Sequence, residues 1–433
     1  MEQSRIDHSS LGSFALSRIP ELHFGPGALQ QLLVILGGRQ VGRVGIVSGG
    51  HSFSSSTYRG PLLDALRERG VEVHEAGIAH EPDPAFVNDT SDLFRSIGVE
   101  AVVAIGGGSA IDAGKAISAL VAMGGNIEQY LEGVGTRAPD GRKLPFIAIP
   151  TTAGTGSEAT KNAVISRLGP DGFKKSLRHD AYVPDVAIID PELSLQCPPE
   201  VTASTGLDAI TQLIEAYVST GANAFTDALA ENGLAAAAKG FLAALRFSRS
   251  AGPENEAERE AHLEARGNMA WAAYLSGICL ANAGLGIVHG VASPLGARFP
   301  IPHGIVCGRL LPGSVRLTTQ RLREAAADRG AERGARPRPG ESNGTPDGVP
   351  YGTLERYARV ARILGSNDTG SGELCDSLVT ILERLLAEAE LKRFSAWGVD
   401  EGAAEGIARA SSGKTHPVSL STGDIADLII ECL

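Results

Sequence analysis

Residues 101–117 read Ala-Val-Val-Ala-Ile-Gly-Gly-Gly-Ser-Ala-Ile-Asp-Ala-Gly-Lys-Ala-Ile. A short apolar run, Ala101–Ile105, enters Gly106-Gly107-Gly108-Ser109, and a helical pattern follows. That order predicts a buried strand, a tight turn and a helix. Glycines let a backbone approach a phosphate closely, and the free amides and positive dipole end of the helix then hold the anion. The spacing is not that of a Walker A loop, because Ala116 follows Lys115 where Ser or Thr is needed. The plainer alternative is a βα turn with no ligand. Asp112, in the first turns of the helix, joins Gly106, Gly107, Gly108 and Ser109 as a candidate cofactor residue.

Outward from this unit, strand-like runs at 44–48, 71–74, 146–150 and 186–190 alternate with helical patterns at 60–69 and 84–96. Such alternation predicts βαβ units and a mainly parallel sheet, giving an α/β, Rossmann-like N-terminal domain over residues 1–197. After Asp190-Pro191 the chain turns Ala- and Leu-rich, with helical periodicity at 203–218, 225–245, 258–281, 354–364 and 373–389. Residues 198–433 therefore read as an all-α C-terminal domain. Within it, 329–349 (RGAERGARPRPGESNGTPDGV) is rich in Gly, Pro and charge and reads as a flexible surface insertion.

The 433 residues suffice for two cores, and 43% hydrophobic with 21% charged residues is a globular balance. A net charge of −11 argues against nucleic acid or an anionic membrane as partner. The first 20 residues lack a basic start followed by an apolar core, and no apolar run reaches the roughly 18 residues of a spanning helix. Five scattered cysteines without metal spacing read as reduced thiols in a cytoplasmic protein.

A second loop, Thr151–Thr160 after the run Phe146–Pro150, contains Gly154-x-Gly156-x-x-Ala159, a formal dinucleotide fingerprint that is weak alone. Two such loops after two parallel strands can line one crevice at the strand ends. In this reading 106–109 cradles a pyrophosphate, and Thr151, Thr152, Thr155 and Ser157 face phosphate or ribose. The first strand ends in Ser48-Gly49-Gly50-His51-Ser52. An enzyme choosing NAD often places a carboxylate there for the ribose 2′-hydroxyl, and that carboxylate would repel a 2′-phosphate. Its absence permits NADP and favours it over NAD, with Ser48, Gly49, Gly50 and Ser52 as contacts.

The second constellation is Asp208 and Gln212 in STGLDAITQLIEAY, with His289 and His303 in GLGIVHGVASPLGARFPIPHG. Residues i and i+4 share a helix face, and Asp, His and His are ordinary ligands of a divalent transition metal; a neutral Gln oxygen is unusual. Cys307, four residues after His303, is a further candidate ligand, although a buried small apolar residue is the commoner reading. His179, Lys161 and Lys175 are candidates for a catalytic acid or an anion clamp, against the plainer reading of solvated charges.

Together GGGSAIDAGKAI, PTTAGTGSEAT, DPEL at 190–193, GLDAITQLIEAY, NAGLGIVHG and IPHG resemble the iron-containing (group III) alcohol dehydrogenases. The matches run in that family's order from about residue 15 onward. The resemblance implies a dehydroquinate synthase-like architecture with nicotinamide, metal and substrate meeting in the cleft between the domains, and a homodimer or larger assembly. It puts the metal ligands at Asp208, Gln212, His289 and His303, with Fe²⁺ or Zn²⁺ as the ion, and it makes His289 and His303 catalytic. The family usually has His where Gln212 stands, and often a second His where this chain has Ser293. The expected activity is NAD(P)-dependent, metal-dependent interconversion of a small alcohol and an aldehyde or ketone. The alternatives are a metal-independent reductase of an anionic keto acid, similar to maleylacetate reductases, and an NADP-binding homologue that has lost catalysis. A cyclising synthase fits the motifs less well.

Overall fold

The computed structural model describes residues 13–50, 53–169, 172–250, 252–332 and 352–433. Six strands form one parallel sheet: β1 Glu21–Phe24, β2 Arg43–Gly49, β3 Glu72–Ile78, β4 Ala101–Gly106, β5 Phe146–Pro150 and β8 Val186–Ile189. Their order across the sheet is β1-β8-β5-β4-β2-β3. β2 pairs with β4 on one side and β3 on the other, Ser48 lying opposite Ile105 and Gly77. β3 thus precedes β4 in the chain yet lies beyond β2 in the sheet. This reversal makes the β2/β4 boundary a topological switch point, where open α/β sheets bind ligands beyond the carboxyl ends of their strands.

Alternation in the strands covers both faces. Val47, Val102, Ala104, Phe146 and Ala148 join a core with α3 (Pro84–Ile97) and α4 (Gly108–Met123). Val44, Ile46, Val103, Ile105, Ile147 and Ile149 pack with α1 (Gln31–Gly38) and α2 (Arg59–Glu68). Strands buried on both sides read as unbroken apolar runs, which is why β4 and β5 are legible without alternation. α3 begins where Asp83 accepts the Phe86 N–H at 2.8 Å, with Pro84 at the first helical position.

An antiparallel hairpin, β6 (Asn162–Arg167) and β7 (Phe173–Arg178), leaves the sheet between β5 and β8. The remaining elements are helical: α5 Pro199–Val218, α6 Ala224–Ser248, α7 Glu256–Ala283, α8 Ile287–Arg298, α9 His303–Glu332, α10 Thr353–Ile363, α11 Ser371–Ala389, α12 Glu401–Ala410 and α13 Thr422–Ile430. Their common core takes in Ala187 and Ile189 of β8, while Val186 and Ile188 face the opposite core. β8 therefore ties the helical half to the sheet, and Leu22 of β1 packs against the same core. Among the described residues no single helix is long and apolar enough to cross a membrane. The surface insertion expected from Arg329 starts later, since α9 continues to Glu332; its remainder, with His51 and Ser52, lies outside the described residues.

Candidate active site

The carboxyl ends of β2 and β4 meet at two glycines. A Cβ on Gly106 would lie 2.9 Å from the Gly49 nitrogen and 2.7 Å from the Ala110 methyl, so only glycine fits. Gly107 caps α4, and the amides of Gly108, Ser109 and Ala110 open that helix with no acceptor in a preceding turn. Ser48 is buried, Gly49 half-buried and Gly50 exposed, at the same edge. Thr152 and Thr155 lean on this loop: Cβ atoms on Gly107 and Gly108 would lie 3.4 and 2.8 Å from their hydroxyl oxygens. Thr151 donates its N–H to Gly106 O at 2.9 Å, and its buried hydroxyl has no partner among the described residues. Gly106–Ser109, Thr151, Thr152, Thr155 and Ser48–Gly50 thus gather at the switch point.

Asp112 and Ser157 serve a different purpose. The Ser157 hydroxyl donates to one Asp112 oxygen, and the Val164 N–H donates to the other at 3.0 Å. Beneath them Lys115, fully buried, donates to the carbonyls of Ser157 and Asn162, each at 2.8 Å, and to Thr160 Oγ1 at 3.1 Å. Burial lowers the Lys115 amine to about 8, with Asp112 and Glu158 pulling the other way. This network clamps the second loop to α4, and both carboxylate oxygens of Asp112, expected as a cofactor contact, are engaged in it. The fingerprint glycines are likewise packing devices. Gly156, at φ +60°, would place a Cβ 2.5 Å from the Gly277 Cα on α7, and only a short 3₁₀ turn, Ser157–Ala159, follows it.

The second cluster forms where α5, α8 and α9 converge. Asp208 Oδ1 lies 3.3 Å from His289 Nε2 and 3.8 Å from His303 Nε2. Cys307 Sγ lies 3.6 Å from His289 Nε2 and 3.7 Å from His303 Nε2. These four donor atoms all fall within 4.8 Å of one another. Asp208 is 1% exposed, yet its Oδ1 makes no well-formed hydrogen bond among the described residues. Burial would raise that carboxyl, but His303 and His289 pull it down to about 2. Burial pushes His303 down to about 4 and the Cys307 thiol up to about 12. A buried carboxylate oxygen that makes no well-formed hydrogen bond, facing two imidazoles and a sulfur, fits a divalent cation.

Glu215, one further turn along α5 from Gln212, accepts His289 Nδ1–H at 2.7 Å through Oε2 and the Val288 N–H at 2.7 Å through Oε1. The sequence reading missed this residue, although positions 208, 212 and 215 share one helical face. Gln212 is buried, and its Oε1 accepts the Ser276 hydroxyl at 2.8 Å. Lys174 sits near His303, depressing its basicity, and pairs with Glu81 at 2.5 Å. Ser293 donates its hydroxyl to Lys174 O at 3.2 Å, tying α8 to the hairpin.

Lys161 and His179 flank the other end of that hairpin. Lys161 pairs with Asp180 at 2.7 Å. His179 Nδ1 accepts the Ala181 N–H at 3.0 Å, and its ring lies against Tyr182, centroids 5.3 Å apart. The pair Asn162/Arg178 stands four residues along β6 from Ser166/Lys174, about 13 Å at strand rise. Lys175 points away from Lys174 by strand alternation, its Nζ within 4.0 Å of a Cβ on Gly133. The lysine beside the cluster is therefore Lys174.

The sequence profile of the iron-containing alcohol dehydrogenases matches residues 20–191, and that of the C-terminal part of the Fe-containing alcohol dehydrogenase family matches 202–432. Long-chain-alcohol dehydrogenase 1 of Geobacillus thermodenitrificans is 35% identical over 309 residues, covering 68% of this chain and 70% of that one. The NADPH-dependent butanol dehydrogenase of Clostridium saccharobutylicum is 30% identical over 373 residues, covering 86% and 83%. A crystal structure of a 1,3-propanediol oxidoreductase superposes with a TM-score of 0.79 at 26% identity, covering 96% of this chain and 99% of that one. With both halves of the chain matched in order by the family's profiles, this protein belongs to the iron-containing alcohol dehydrogenase family.

Proposed function

We propose that the chain is a divalent-metal-dependent alcohol dehydrogenase or aldehyde reductase that prefers NADP, with Asp208, His289 and His303 as metal ligands. As a member of its family it is an NAD(P)-dependent oxidoreductase interconverting an alcohol and a carbonyl compound. The observation that carries the metal reading is the buried Asp208 oxygen, lacking a hydrogen bond and facing both imidazoles. Fe²⁺ or Zn²⁺ held there would supply Lewis acidity to the substrate oxygen, and the nicotinamide would carry the hydride. Glu215 keeps the His289 proton on Nδ1, leaving Nε2 free to bind the ion. The 106–109 amides and the threonines of 151–155 would orient the pyrophosphate. The Ser48-Gly49-Gly50 edge, free of carboxylates, supports tolerance of a 2′-phosphate.

The proposal extends to organisation. The division at 197/198 is supported by α5 starting at Pro199. A homodimer or larger assembly is supported by Phe14, Leu16, Ile19 and Phe24, which expose apolar side chains beside the edge strand β1. Five free thiols support a cytoplasmic location.

Metal analysis of anaerobically purified protein, with NADPH oxidation on an aldehyde panel before and after chelation, tests the function. Near-stoichiometric Fe or Zn, with activity lost on chelation and restored by metal, is expected. Chelator-insensitive turnover of keto acids would favour the metal-independent reductase. Tight NADPH binding without turnover on any carbonyl would favour the inactive homologue.

A further inference from the structure

The donor cluster brings Cys307 together with Asp208, His289 and His303. Cys307 follows His303 by one turn of α9, so both side chains leave the same helix face. An ion bound tetrahedrally by zinc-like bonds sets its N and O donors about 3.3 Å apart and a sulfur about 3.6 Å from a nitrogen. The observed separations are 3.3 Å for His289 Nε2 to Asp208 Oδ1, and 3.6 and 3.7 Å from Cys307 Sγ to the two imidazoles. The His303–Asp208 edge, at 3.8 Å, is wider, and all four donor atoms lie within 4.8 Å of one another. Gln212, by contrast, is neutral, and its Oε1 lies 2.8 Å from the buried Ser276 hydroxyl.

We propose that Cys307, giving up its proton to solvent as the ion binds, is as a thiolate the fourth protein ligand of the metal in place of Gln212, and that this soft donor turns the site toward zinc over ferrous iron. The inference rests on the metal reading above. It goes beyond that reading in naming the fourth ligand and the selectivity that follows.

The test uses full-length protein stripped of metal and reloaded with Co²⁺, read by absorption. A thiolate-to-cobalt charge-transfer band in the near ultraviolet is expected in the unmodified protein, in Gln212→Ala and in Cys279→Ser. It should vanish in Cys307→Ser while Co²⁺ still binds. Competition with a chromophoric chelator should show Cys307→Ser losing at least about tenfold in Zn²⁺ affinity and less in Fe²⁺ affinity. Circular dichroism checks that each variant is folded. Stoichiometric Co²⁺ without the band, or a band that survives in Cys307→Ser, overturns the thiolate ligand and leaves the metal reading standing. Failure of Co²⁺, Zn²⁺ and Fe²⁺ all to bind overturns both.

Discussion

The Glu215 carboxylate grips His289 Nδ1 at 2.7 Å, and its other oxygen holds the Val288 amide at 2.7 Å. A carboxylate only accepts, so this pair fixes the imidazole tautomer and aims Nε2 at Asp208. Burial opposes a charge on His289, yet the surrounding Cys307, Asp208 and Glu215 hold its pKa well above the ordinary value. Such carboxylate–histidine partners typically raise metal affinity 10–100-fold. Glu215→Gln, which keeps the shape and drops the charge, is therefore expected to weaken metal binding about tenfold or more in a chelator competition. An unchanged affinity would mean Glu215 only braces α8.

Under the proposed preference for NADP, cofactor choice is expected to respond to charge at the end of β2. Placing a carboxylate at Gly49 puts a negative charge at the strand end where the ribose sits in such folds. Gly49→Asp is expected to raise the KM for NADPH about tenfold or more while sparing NADH, because like charges about 4 Å apart repel by a few kcal/mol near a protein surface. Steady-state kinetics with both cofactors gives the ratio. Equal losses on the two would point to a packing defect instead.

The β4–α4 unit was legible because a strand buried on both faces shows as an unbroken apolar run, and glycine then marks the turn. The Asp208 face was legible because α5 is long and regular. β1 escaped notice since four residues, Glu-Leu-His-Phe, pair only with β8 at the sheet edge. α8 was hidden by Pro294 and two glycines inside the helix. α9 was obscured by Pro302, which reads as a turn, so the shared face of His303 and Cys307 had no visible helix to rest on. Lys174 emerged only through the hairpin register, which composition does not encode.

The brace between α4 and the loop after β5 predicts a stability loss. Lys115 is the only cation recorded against Asp112 within 4.0 Å among the described residues, at 3.9 Å, and it satisfies two loop carbonyls. Removing one member of a buried charged network leaves the other uncompensated and costs about 3–5 kcal/mol. Lys115→Met should lose that much in urea unfolding, and adding Asp112→Asn should recover part of it. No loss in the single variant would show that the pair is not coupled.

The acid limb of stability should report His262. Its ring stacks on Phe247, centroids 4.9 Å apart, and its Nε2 accepts the Arg266 Nε–H at 3.2 Å, a bond that needs a neutral imidazole. Burial, then the Arg266 charge, lowers it from 6.5 to about 4. The unfolded chain therefore takes up a proton that the folded chain refuses between those values. The stabilisation is complete above pH 6.5 and drains away as pH falls toward about 4. Allowing for a ring at the margin of the core, the span is worth about 1–3 kcal/mol. His262→Gln keeps an acceptor for Arg266 and does not titrate, so its unfolding free energy should fall less steeply than that of the unmodified chain from pH 7 to 5. The metal-site histidines titrate in both proteins and cancel in the difference. Parallel curves for the two would mean His262 titrates alike folded and unfolded, and that the Arg266 bond does not hold it neutral.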